Sequence, residues 1–171
     1  MKIIYHCYGG THSSVTAACI HLGLLPRDRV PKYKELIGQE LFDRQKVCDI
    51  GKIVFMGHDS LGNDIYVVGR QSRPKLLYNV TGGLAELFGI DRDSLMPVDV
   101  SSYVNPSMKA GGFMSRKMGL VGLGRPIVAW GTLRNYIRLV AVVEKVYAKL
   151  KQAPGTKGGQ TIQIINPEVV Y

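Results

Sequence analysis

Cysteine is scarce in this chain: Cys7, Cys19 and Cys48 are the only three. Three thiols cannot all pair with one another, and no C-x-x-C spacing occurs, which argues against a disulfide scaffold or a zinc ribbon and for a reducing compartment. Long apolar runs are missing too. None reaches the ~18–20 residues that a bilayer crossing needs. The opening Met1-Lys2-Ile3-Ile4-Tyr5 turns polar at His6, short of a signal-peptide core. The expectation is a cytoplasmic protein with no membrane partner. Aromatics make up only 8% of residues, and none interleaves with the basic residues Arg116 and Lys117. A stacking platform for single-stranded nucleic acid needs that interleaving, so nucleic acid is not the expected partner. Acidic residues are outnumbered, 13 against 22 basic.

What is present suits one domain. A chain of 171 residues that is 46% hydrophobic and 20% charged can build a core without metal or disulfide support. Between Ser101 and Leu150 stand Lys109, Arg116, Lys117, Arg125, Arg134, Arg138, Lys145 and Lys149 against the single acid Glu144. That imbalance points either to an anionic partner or to a solvated basic face.

The pattern of elements predicts an α/β protein: a three-layer α/β/α sandwich on a mostly parallel sheet with one β-hairpin. Lys2–Cys7 reads as a buried strand, with a helix capped by Ser13 or Ser14 running to about Leu24. A short helix follows from Lys32 to about Leu41. Ile53–Met56 and Ile65–Val68, separated by the turn-forming Asp59–Asp64, form the hairpin. A helix spans about Pro74–Phe88 and a short strand Pro97–Val100. Ser101–Gly124 reads as irregular, with a short helix around Met108–Met118. Pro126–Trp130 reads as a buried strand, and Leu133–Lys151 as the last helix, with Thr132 as a candidate cap. His21 is expected to face solvent. The domain is assigned to residues 1–151. Residues 152–171 are a linker and tail, with a candidate edge strand in Thr161–Tyr171. Gly-Gly pairs recur at irregular separations, which excludes a repeat architecture.

The most informative stretch is His6-Cys7-Tyr8-Gly9-Gly10-Thr11-His12-Ser13-Ser14. It joins a strand to a helix, the turn at which open α/β sheets bind ligands. Glycines allow close backbone approach, and a helix start attracts anions through its free amides. The plain alternative is a tight structural turn. As a Walker loop, G-x-x-x-x-G-K-[ST], the stretch matches only at its serine, with His12 in the lysine position. Asp59 and Asp99 are weak stand-ins for the acid that would follow. Against the cysteine phosphatase loop, His-Cys-x5-Arg-Ser/Thr, His6-Cys7 fits, but Ser13 stands where the phosphate-clamping arginine belongs. Cys7 is then either a nucleophile or a small buried apolar residue. His12 is either a phosphate donor and general acid or a surface histidine.

A second cluster, Gly111-Gly112-Phe113-Met114-Ser115-Arg116-Lys117-Met118-Gly119, with Arg125 beyond it, suits a lid closing on phosphates or a basic surface loop. The expected ligand site is therefore Gly9, Gly10, Thr11, His12, Ser13, Ser14, Arg116 and Arg125, with His12 and Cys7 as candidate catalytic groups. The expected partner is a phosphorylated small molecule or nucleotide, which suits a phosphoryl-transfer enzyme; the alternatives are a cysteine-dependent phosphatase-like enzyme using Cys7 and a non-catalytic partner-binding protein that assembles through the basic half and the Thr161–Tyr171 tail. His58 and Asp59 lack a third ligand, so no metal is expected, and no cofactor is specified.

The residues Lys2–Ser14, Gly111–Arg116 and Gly124-Arg125-Pro126 resemble an uncharacterised family of Firmicutes proteins known only as a domain of unknown function. The resemblance covers about residues 1–150 and implies no activity. The likeness to P-loop kinases is an analogy of fold.

Overall fold

The computed structural model describes residues 1–152. The linker beyond Gln152 and the candidate edge strand at 161–171 lie outside the described residues.

Four strands, β1 (Lys2–Cys7), β2 (Val54–His58), β3 (Asp64–Gly69) and β4 (Leu95–Asp99), form one mixed sheet in the order β2-β3-β1-β4. Strand β1 (Lys2–Cys7) is central. It pairs in parallel with β3 (Asp64–Gly69), Lys2 opposite Asp64 and Cys7 opposite Gly69. On its other side it pairs in parallel with β4 (Leu95–Asp99), His6 opposite Asp99. Strand β2 (Val54–His58) closes the hairpin antiparallel to β3, with a bulge between Phe55 and Gly57. Asp59 organises the hairpin turn. Its carboxylate accepts the amides of Leu61 and Asn63 and the side-chain amide of Asn63.

Side chains alternate across β1. Ile3, Tyr5 and Cys7 join the main core, where α1 (Ser13–His21) packs. His6 turns to the other face, toward Tyr78 on α3 (Pro74–Leu87). All nine residues of α1 are buried. One side faces the sheet, and the other packs against α6 (Tyr136–Gln152), whose stripe Tyr136, Leu139, Val142, Val143, Val146 and Tyr147 is buried at helical spacing. This double burial corrects the expectation for His21, which is 1% exposed. Its Nδ1 shares a 2.7 Å hydrogen bond with the Tyr5 hydroxyl, its Nε2 a 3.0 Å bond with Asp59, and its ring lies 4.4 Å from that of Tyr147.

The second half departs most from expectation. Pro126–Trp130 is not a strand. It lies inside α5 (Val121–Arg134). A short apolar run does not reveal its own period, and a proline in mid-helix removes a hydrogen bond and crowds the preceding turn. Tertiary packing overrides both signals. Helix α4 (Pro106–Gly112) meets α5 backbone to backbone. A Cβ on Gly111 would stand 2.5 Å from the Val128 nitrogen, and one on Gly124 would stand 2.4 Å from the Ser115 nitrogen. Gly111 and Gly124, two of the glycines in the stretch that reads as irregular, are therefore contact points of a close helix pair. Between the two helices, Phe113–Lys117 forms a π-helical turn.

Thr132 does not cap the last helix. It sits within α5 and donates to the Val128 carbonyl, and Arg134 ends α5 instead of opening α6. The second helix, α2, is confined to Tyr33–Ile37. Neither Ser13 nor Ser14 is the cap of α1: His12 takes that position without a side-chain cap bond, and both serines are already helical.

Candidate functional site

The loop between β1 and α1 sits at the carboxyl edge of the parallel strands and is packed tightly from below. Gly10 has φ +71°, and a Cβ there would lie 2.4 Å from the Gly69 nitrogen, so the residue must be glycine on both conformational and steric grounds. The Gly10 amide donates to the Cys7 sulfur at 3.2 Å, and Cys7 Sγ lies 3.3 Å from the Ser14 hydroxyl. The Arg70 and Gln71 amides donate to the Cys7 and Tyr8 carbonyls, tying the loop to the end of β3.

Thr11 fastens a second segment to the loop. Its hydroxyl donates to the Leu41 carbonyl and accepts the amides of Arg44 and Gln45, while its carbonyl accepts the amide of Asp43. Asp43 adopts φ 54°, in the left-handed region that aspartate tolerates better than most residues. The consequence is a fully buried carboxylate beside the loop.

That carboxylate gathers groups from three distant parts of the chain. His12 Nε2 lies 3.0 Å from Asp43 Oδ1, and the Ser115 hydroxyl donates to Oδ2 at 2.7 Å. Arg116, from the π-helical turn, pairs Nε with Oδ1 at 3.0 Å. Arg125, from α5, donates Nε to Oδ2 at 3.0 Å and Nη2 to the Asp43 carbonyl at 3.3 Å. Burial acts to raise the Asp43 pKa, but the hydrogen bonds from His12, Ser115 and Arg125 outweigh it and hold the group down at about 2. Asp43 is therefore ionised at neutral pH. One carboxylate faces two guanidiniums and an imidazole, so the cluster keeps a positive excess. The His12 ring lies over Gly112, where a Cβ would come within 3.1 Å of it.

Three of the sequence-predicted residues, His12, Arg116 and Arg125, thus meet at Asp43. Gly9, Gly10, Thr11, Ser13 and Ser14 form the adjoining loop and first helical turn. Ser13 is fully buried, and its hydroxyl has no hydrogen-bond partner among the described residues. The first bond of α1 runs from the Thr16 amide to the His12 carbonyl. The amides of Ser13, Ser14 and Val15 therefore have no acceptor within the helix.

Sequence reasoning missed Asp43 and Ser115. Ser115 stood inside the glycine-rich cluster, next to Arg116. Asp43 carries no local signal, since its arginine partner at 125 is 82 residues away.

A second polar group, also unread in the sequence, flanks the loop on the opposite sheet face. Arg70 donates Nε to His6 Nδ1 at 3.3 Å, and its Nη2 donates at 2.8 Å to both Asp99 and the Ser101 hydroxyl. An arginine donating to Nδ1 leaves the His6 proton on Nε2, which lies 3.0 Å from the Tyr78 hydroxyl oxygen. Burial, reinforced by the Arg70 charge and opposed by Asp99, pushes the His6 pKa down to about 4.

The three thiols differ. Cys19 is buried in the core, and burial alone pushes it up to about 12. Cys48 is exposed. Cys7 is buried at the loop. Among the described residues no group of three or more histidine, cysteine or acidic side chains could hold a metal ion. No described helix is long and apolar enough to cross a membrane. A groove of about 650 Å³ lies between α4 and α5 against Pro106, Ala110, Ile127 and Trp130, away from the Asp43 cluster and the β1–α1 loop.

No curated protein and no solved structure shows a significant match to the chain. The profile of one family, described as "Protein of unknown function (DUF3189)", matches residues 2–148, which take in β1, the loop, Asp43 and both arginines. The chain belongs to this DUF3189 family.

Proposed function

We propose that this protein binds the phosphate group of a small molecule or nucleotide at the β1–α1 loop, with His12, Arg116 and Arg125 at its rim. The observation that carries this reading is the charge imbalance at Asp43: one buried carboxylate collects two guanidiniums and an imidazole beside the start of a helix. A positive surplus next to free helix amides favours an incoming anion. The Nη1 groups of the two arginines lie outside their bonds to Asp43 and Ser115, and guanidinium donors of this kind suit phosphate oxygens. A cytoplasmic setting is in keeping with the three unpaired thiols.

Thermal melts in the presence of nucleotides, sugar phosphates and inorganic phosphate test the proposal. A compound present at 100 times its Kd adds about 2.7 kcal/mol to stability. A flat response to every phosphorylated compound overturns the reading.

A second reading, phosphatase-like chemistry at Cys7, draws on the contact between its sulfur and the Gly10 amide, which aims a backbone donor at the sulfur. The departure from the phosphatase loop is real: Ser13 replaces the arginine, and Arg116 and Arg125 are engaged with Asp43. On this reading iodoacetamide labels Cys7 near neutral pH and phosphate slows the labelling. A Cys7 that resists labelling until the protein unfolds removes the nucleophile and leaves phosphate binding intact.

A further inference from the structure

Two polar atoms near this loop are buried without a partner among the described residues: the Ser13 hydroxyl and the Gln45 side-chain nitrogen. Both residues are more than nine-tenths buried. They also converge. Ser13 opens α1, and Gln45 is tied to the loop by the bond from its amide to Thr11 Oγ1. The Gln45 side-chain oxygen lies 2.8 Å from where a Cβ on Gly10 would stand, so the amide end of Gln45 is aimed at the glycine turn. Unsatisfied buried donors are rare in folded proteins, and each one calls for an explanation.

We infer that Gln45 and Ser13 are ligand-contacting residues, and that their unmatched donors, together with the amides of Ser13 and Ser14, select a tetrahedral oxyanion. This inference rests on the phosphate-binding reading and narrows it. The donor inventory sets the class. Gln45 Nε2 carries two N–H groups and Ser13 one O–H, and two helix amides add two more. A planar carboxylate presents two oxygens to such a set. A phosphate or sulfate group presents acceptors at every corner. The Asp43 cluster supplies charge from the rim, and Gln45 with Ser13 supplies neutral donors from inside, which fixes orientation and excludes flat anions. Gln45 thereby becomes the specificity residue, although nothing in the sequence distinguished it.

The test compares wild-type protein with Gln45→Met, which keeps length and loses both donors, and with Ser13→Ala. Each is titrated calorimetrically with inorganic phosphate, sulfate and acetate, and melted without added anion. Wild type is expected to bind phosphate and sulfate but not acetate. Both variants are expected to lose about tenfold or more in phosphate affinity, the scale of a hydrogen bond to a charged group. Their anion-free melting temperatures are expected to match or exceed wild type, because a buried orphan has been removed. Variants that bind phosphate as tightly as wild type overturn the inference and leave the phosphate reading standing. Acetate binding equal to phosphate binding also overturns it. A wild-type protein that binds none of the three overturns both. Ser13→Ala removes a single oxygen atom and keeps the test decisive should Gln45→Met fail to fold.

Discussion

At the scale of single residues, Asp43 is the group on which the site depends. A buried carboxylate that loses its charge leaves two guanidiniums and an imidazole facing one another. Asp43→Asn is expected to destabilise the protein by about 3 kcal/mol, read as a lower midpoint in urea, because breaking one side of a buried pair costs about that much. The pH dependence follows from the same group. Its folded pKa, about 2, lies below its usual value. The stability it contributes is therefore complete above about pH 4 and is lost as pH falls toward 2. His6 adds an earlier step. Its pKa is depressed from 6.5 to about 4, so the unfolded chain takes up a proton that the folded chain refuses. Stability declines as pH drops from about 6.5 to 4, and the variant His6→Gln is expected to make that limb of a pH–stability curve shallower, with His21, whose pKa burial also lowers, keeping the rest. A curve level from pH 7 to pH 4 in the wild type contradicts the buried, neutral assignment of His6.

Among the elements, the α4–α5 pair shows what sequence periodicity conveys and what it conceals. Strand β1, the hairpin, α3 and α6 are legible because alternation or helical spacing recurs over enough residues to set a period. The Pro126–Trp130 segment is too short to do so, and its proline argues against the helix it occupies. Gly111 and Gly124 are ambiguous in the same way: glycine in a chain denotes either a bend or a close approach, and only the partner backbone decides. The distinction is measurable. Gly124→Ala drives a methyl group toward the Ser115 nitrogen at 2.4 Å and is expected to cost about 1–3 kcal/mol in thermal unfolding. Gly83→Ala, in α3 with nothing within 4 Å, is expected to be neutral or to stabilise by about 0.5–1 kcal/mol. Because Gly124 touches Ser115 and precedes Arg125, the Gly124 substitution also disturbs the groups on Asp43.

For the molecule as a whole, the excess of basic residues between Ser101 and Leu150 acquires a location. Two of them, Arg116 and Arg125, turn inward to the β1–α1 loop, so the charge asymmetry visible in composition converges on the strand–loop–helix unit visible in pattern. The loop and the two arginines were legible because glycines, a strand end and basic residues are local features. Asp43, Gln45 and the His6–Arg70–Asp99 group were not, because their roles arise from residues that folding alone brings together. On the proposed reading, this convergence binds phosphate. Calorimetric titration of inorganic phosphate into the wild type and into Arg125→Lys, which keeps the charge but loses the guanidinium fork, tests it most directly. Saturable binding in the wild type, weakened about tenfold in Arg125→Lys, is the predicted result; no saturable heat in the wild type, or the same affinity in both proteins, contradicts it.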